Sequence, residues 1–176
     1  MGVRSQPHAP SAVVGVDPSS RKLAIAIDDG IKRFEIVQAP RSLTDRGQII
    51  HHLYQGFQAV ADQLGEMHIF LEAPVVGRGG AHSTIVQAQA ATVVHLIGVT
   101  SSSSVLHEVN NKRWKKVVVG SGNADKAQIR AWLTERESDW ATLAADDQDL
   151  VDAACILLYG QHLLERGELL LAGGLS

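Results

Sequence analysis

Three short apolar runs open the chain, joined by connections too short to carry a crossover, and this restricts the fold more than any other feature. Ala12–Asp17 is a brief β-branched run stopped by Pro18-Ser19-Ser20. Leu23–Ile27 alternates alanine with larger apolar residues and ends in Asp28-Asp29-Gly30, a strong hairpin signal. Ile31–Val37 is the answering strand. Strands joined so tightly must run antiparallel, as a meander.

The periodicity then changes. Ser42-Leu43-Thr44-Asp45 predicts a helix start, with Asp45 reaching back in a capping box. Ile49, Leu53, Phe57, Val60 and Leu64 recur at helical spacing up to Gly65. Met67–Leu71 predicts a fourth strand running into Glu72, and Ala73–Gly80 is a glycine-rich loop. Ser83–Gly98 is apolar almost all round, so this helix is buried on several sides or packs on a second subunit. Ser101–Ser104 reads as a loop and Val105–Val109 as a fifth strand. A basic stretch, Asn110–Val119, leads to a break at Gly120-Ser121-Gly122. Asn123 is placed to cap a helix through about Glu137, and a last helix spans about Asp147 to Glu165. This order predicts an α/β fold: a five-stranded mixed sheet, a three-strand antiparallel meander plus two parallel strands, flanked by helices.

The bulk numbers are those of one globular domain. The chain has 176 residues, 45% hydrophobic and 20% charged, with net charge −3. We expect residues 12–168 to form the domain, with flexible tails at 1–11 and 169–176. The single cysteine, Cys155, excludes an internal disulfide and cysteine-rich zinc sites, and fits a reducing cytoplasm. No run approaches the roughly 18 apolar residues that span a bilayer.

Within apolar segments stand four carboxylates that a core should not tolerate. Asp17 and Glu72 close predicted strands, and Asp149 and Asp152 interrupt the last helix at spacing i, i+3, on one face. Ionised carboxylates beside a core are expensive unless cations meet them. Ligands of open α/β sheets bind at the carboxyl ends of strands. If the last helix crosses that edge, the four groups converge, and two hard divalent ions about 4 Å apart satisfy them. Taken singly, each acid has a plainer reading, as a turn starter or a first-turn residue complementing the helix dipole. Asp146 and Asp147 read that way.

Charge is also segregated. Lys112, Arg113, Lys115, Lys116, Lys126 and Arg130 face only Asp125 between residues 110 and 130. Such a patch neutralises phosphates, or is simply a solvated helix face. Trp114 within it is either a stacking platform or a core anchor. Arg78, in the glycine-rich loop, can meet a phosphate. The eight histidines form no metal spacing with cysteine and read as structural.

Taken together these segments resemble a known family. Val14-Gly15-Val16-Asp17-Pro18-Ser19-Ser20 is similar to the first-strand motif of RuvC-type Holliday junction resolvases, and Phe70-Leu71-Glu72 to their second acidic strand. The stretch Val118–Ile129 and the pair within Asp149–Ala154 resemble their later motifs, in the same order. The resemblance implies an RNase H-like fold, a homodimer, and cutting of four-way DNA junctions that depends on Mg2+ or Mn2+, two per site. It makes Asp17, Glu72, Asp149 and Asp152 metal ligands, and Lys126, with Lys115, phosphate-contacting lysines. It makes the helix Ser83–Gly98 the dimer element. One departure stands out: three positions beyond the second acid, where bacterial members usually carry an aromatic, this chain has Val75 after Pro74. That implies looser, structure-selective cutting of flaps and forks besides junctions, and a bacteriophage member acting in its host's cytoplasm. The other classes left open are an RNase H-like ribonuclease and a non-catalytic junction-binding protein; an actin-like ATPase needs two such domains.

Overall fold

The meander forms as expected, and the computed structural model describes residues 11–74 and 80–168. Strands β1 (Ala12–Pro18), β2 (Lys22–Asp28) and β3 (Lys32–Gln38) are antiparallel neighbours. Helix α1 (Arg46–Leu64) returns the chain to β4 (Met67–Glu72), which lies parallel to β1. Helix α2 (Gly80–Thr100) leads to β5 (Ser104–Val109), parallel to β4, and the sheet order is β3-β2-β1-β4-β5. Four helices complete the chain: α3 (Asn111–Val118), α4 (Lys126–Arg136), α5 (Ser138–Ala144) and α6 (Gln148–Glu165). Among the described residues no helix is long and apolar enough to cross a membrane.

Two cores sandwich the sheet. On one face α1 contributes Ile49, Leu53 and Phe57, and α2 contributes Val93, Val94 and Ile97, against Val14, Val16, Ile69 and Leu71. On the other face α6 lies along β1 and β2, with α3, α4 and α5 packed around it. Helix α2 nevertheless leaves Ile85, Leu96 and Val99 exposed, matching its apolar character all round.

The caps correct several boundaries. Asp45 is itself the N-cap of α1, accepting from the Gln48 amide at 2.9 Å, rather than the third residue of a capping box begun at Ser42. Asp125, not Asn123, caps α4, in a reciprocal capping box with Gln128. The basic stretch is a helix because Asn110 accepts from the amides of Lys112 and Arg113. Trp114 is fully buried, which rules it out as a stacking platform in this fold. Helix α5 was not expected, because seven residues are too few to show a period. It exists to bury Trp140, whose ring meets Phe34 edge-on at 5.0 Å.

Candidate active site at the carboxyl edge of the sheet

Strand pairing sets the first two acids side by side. Val16 pairs with Leu71 in the parallel register of β1 and β4, so Asp17 and Glu72 follow on adjacent strands at the same edge. The third acid arrives because α6 lies unusually close. A Cβ on Gly15 would stand 2.3 Å from the Ala153 carbonyl oxygen and 2.5 Å from the Leu157 amide nitrogen. A Cβ on Gly160 would stand 2.2 Å from the Phe70 ring. Only hydrogen fits at either position, and the start of α6 is thereby pressed onto β1.

The charges at this edge are poorly compensated. Glu72 is the one buried charged side chain among the described residues, and the Asn111 amide donates to its Oε1. Burial, then the charges of Glu72, Asp152 and Asp149, push the Asp17 carboxyl well above the ordinary aspartate range. A hydrogen bond between Asp17 and Glu72 adds to this shift. Asp152 is pushed up to about 6, chiefly by burial and also by Glu72, against the opposing pull of a Gln148 hydrogen bond at 3.0 Å and of Lys115 and Lys126. These carboxyls gather with little positive charge to offset them.

Asp149 is placed differently. Its Oδ2 lies 2.5 Å from the Lys22 ammonium, which also meets Asp147 at 3.2 Å. Asp147 caps α6 through the amides of Asp149 and Leu150. The last helix therefore brings Asp152 among the strand-end acids, while its first turn is tied to β2 through Lys22. Among the described residues no three Asp, Glu, His or Cys groups form a ready-made metal cage.

A cleft of about 850 Å3 opens beside Glu72 and is lined by Asn111, Lys112, Lys115, Asn123 and Lys126. Three of the six cations of the basic stretch thus reach the acidic edge. Arg130 is spent elsewhere, donating to the Ala145 and Asp146 carbonyls at 2.5 and 3.0 Å. Lys116 is exposed outside the cleft lining. Arg113 also lies outside that lining, near enough to Tyr159 to act on its hydroxyl. Arg78 and Val75 lie outside the described residues.

Sequence reading missed Lys22, Asn111, Gln148 and Gly15. The first three carry no pattern of their own, since a lysine before a strand and an amide in a helix are common. Gly15 did carry a signal, because a glycine inside a strand marks a close backbone approach.

Along most of its length the chain is similar to known proteins. The family model for "Crossover junction endodeoxyribonuclease RuvC" matches residues 13–155. The chain belongs to the RuvC family. It is therefore a crossover junction endodeoxyribonuclease by family, and such enzymes depend on metal as a class. A crossover junction endodeoxyribonuclease RuvC of Methylococcus capsulatus is 25% identical over 157 residues, covering 88% of this chain and 94% of that protein. The fold matches the RuvC structure of Thermus thermophilus, with a TM-score of 0.64 at 15% identity, over 89% of this chain and 96% of that one. It also matches T. thermophilus RuvC in complex with a Holliday junction substrate, with a TM-score of 0.66 at 15% identity and the same coverage. The RNase H-like, five-stranded mixed sheet expected from the sequence is the sheet observed.

Proposed function

We propose that this chain cuts four-way DNA junctions, and flaps and forks as well, by metal-dependent phosphodiester hydrolysis in a homodimer. The observation that carries the reading is the set of insufficiently compensated carboxylates at the mouth of a lysine-lined cleft. All its donors are carboxylate oxygens, the chemistry that hard cations prefer, and their raised pKa values mark a site lacking positive charge. Asp17, Glu72 and Asp152 would hold Mg2+ or Mn2+, with Asp149 on the side of a second ion. When bound, such ions supply Lewis-acid polarisation of the scissile phosphate and activation of water.

The remaining work falls to the protein. Asn111 fixes the rotamer of Glu72, and Gln148 fixes that of Asp152. Lys112, Lys115 and Lys126 draw the phosphate backbone along the cleft and offset the repulsion between it and the acids. Two-fold pairing through the exposed Ile85, Leu96 and Val99 of α2 would set two such edges against two strands of a junction. The broader substrate range rests on Val75 in place of the aromatic that would wedge a junction open.

The test is cleavage of a synthetic four-way junction with and without Mg2+, beside a flap, a fork and an RNA–DNA hybrid of equal length. We expect cutting of all three branched DNAs, only with the ion. Cutting confined to the hybrid would make this chain a ribonuclease, and ion-independent cutting would remove the metal from the reading.

A further inference from the structure

A second basic site lies on the opposite side of the start of α2, and the DNA reading does not use it. Arg21 ends the β1–β2 turn and Arg46 opens α1. With Ser20, Ser83, His82 and Gln89 they line a cavity of about 600 Å3. Both arginines are partly buried. Arg46 donates through Nε to Gln89 at 2.8 Å, through Nη2 to the Val86 carbonyl at 2.6 Å, and through Nη1 to the Ser20 carbonyl. Arg21 donates through Nη2 alone, to the carbonyls of Pro40 and Leu43 at 2.5 and 2.8 Å. No carboxylate pairs with either guanidinium among the described residues. The neighbouring acid, Asp45, is spent on capping α1. Burial and the charge of Arg21 both lower the Arg46 pKa, which places the two cations within electrostatic reach of each other.

Two like charges held together in a half-buried cavity are costly unless an anion joins them. Neutral hydrogen-bond acceptors engage some of their N–H groups but leave their charge unmatched. The cavity also has an address. Val86 and Gln89 line it, while Gln87, between them on α2, lines the catalytic cleft and donates to the Pro18 carbonyl at 3.3 Å. Arg21 directly precedes Lys22, the lysine that meets Asp149. An extended polyanion crossing the acidic edge thus finds lysines on one side and this arginine pair on the other. Guanidinium is the cation best shaped to grip a phosphate with two parallel hydrogen bonds.

We propose that Arg21 and Arg46 form a second phosphate subsite for the DNA backbone, across α2 from the lysine-lined cleft. It rests on the DNA-cutting reading above.

The experiment measures binding of a fluorescent four-way junction by anisotropy from 50 to 200 mM salt, in an Asp17→Asn background that prevents cutting. One lost phosphate contact lowers the slope of log affinity against log salt by roughly 0.9 and weakens binding roughly 5- to 10-fold near 100 mM. Arg21→Gln should show both changes, and Arg21→Lys should restore most of the slope. Thermal melting of each variant identifies a folding defect, in which case Arg46→Lys, which keeps the charge but not the fork, replaces it and should weaken binding without changing the slope. Parent-like slope and affinity in a folded Arg21→Gln overturn the subsite. Stabilisation of the parent but not Arg21→Gln by inorganic phosphate, with junction binding equal in both, would show a free-anion site and also overturn it. If the parent itself binds no junction, the DNA reading fails first.

Discussion

Helix α6 carries two acids to the same edge of the sheet, and the protein treats them in opposite ways. Asp149 is tied to the Lys22 ammonium, with Asp147 beside it. Asp152 has only a glutamine hydrogen bond, and its nearest company is the charge of Glu72 and two lysines acting through space. One turn of helix separates a settled ion pair from an unsettled carboxyl. Asp149 is matched by a lysine within the chain, whereas Asp17 and Asp152 keep raised pKa values for want of positive charge. The Asp17–Glu72–Asp152 group is thus the less compensated part of the acidic set.

The largest break of this contrast is Asp17→Asn. It removes a carboxylate that no other group can replace, so junction cleavage should fall at least about 10³-fold, several kcal/mol of transition-state stabilisation, while junction binding persists. Normal cutting by this variant would dismiss the site.

Next comes the contact that creates the contrast. Gly15→Val drives a side chain into the backbone of α6 and should cost about 3 kcal/mol or more in denaturant unfolding. An unchanged midpoint would mean that α6 does not lie as described.

Asp152 and Asp147, the residue that caps α6, predict opposite pH dependence. Asp152 has a raised folded-state pKa, so its contribution to stability is complete below about 4 and is lost as pH rises through about 6. Asp147 behaves in reverse. Burial opposes its charge, but Lys22 and the amides of Asp149 and Leu150 outweigh that and lower its pKa. Its contribution is present above the ordinary aspartate value and is lost in acid. The metal-free protein should therefore lose stability from pH 5 to 7.5. Asp152→Asn should remove the share of that slope that Asp152 carries, leaving the share of Asp17, and raise stability at pH 7.5 by about 1–3 kcal/mol. Thermal melts across this range, repeated with Mn2+, check it: the ion should stabilise the parent and not the variant.

The smallest effect is that of Lys22→Met. The pair it breaks is partly solvated, so the loss should be about 1 kcal/mol, screened by salt. A loss as large as that for Gly15→Val would mean that the clamp, not the close packing, seats the helix.

Much of this was legible in the sequence, for identifiable reasons. Strands announced themselves by alternation and Asp28-Asp29-Gly30, and α1 by its period, because both signals are local. The gathering of Asp17, Glu72 and Asp152 at one edge was readable because carboxylates inside apolar runs conflict with their surroundings unless they meet at a common site. Helix α5 was not readable, being too short for any period. Nor was the fate of Arg130, because exposure and basicity do not show that a side chain will turn back onto the Ala145 and Asp146 carbonyls. The partners of Asp149 were hidden too, since Lys22 stands 127 residues away in sequence and meets it only once the sheet and α6 are assembled.

The glycine contacts between β1 and α6 carry one last consequence. Where two layers touch through side chains, their separation drifts whenever a methylene is gained or lost. Here main chain rests on main chain, so the gauge between the strand-end acid and the helical one is set by peptide geometry. Substitutions in the surrounding oil can alter how firmly this enzyme holds together and still leave the span of its cutting edge the same.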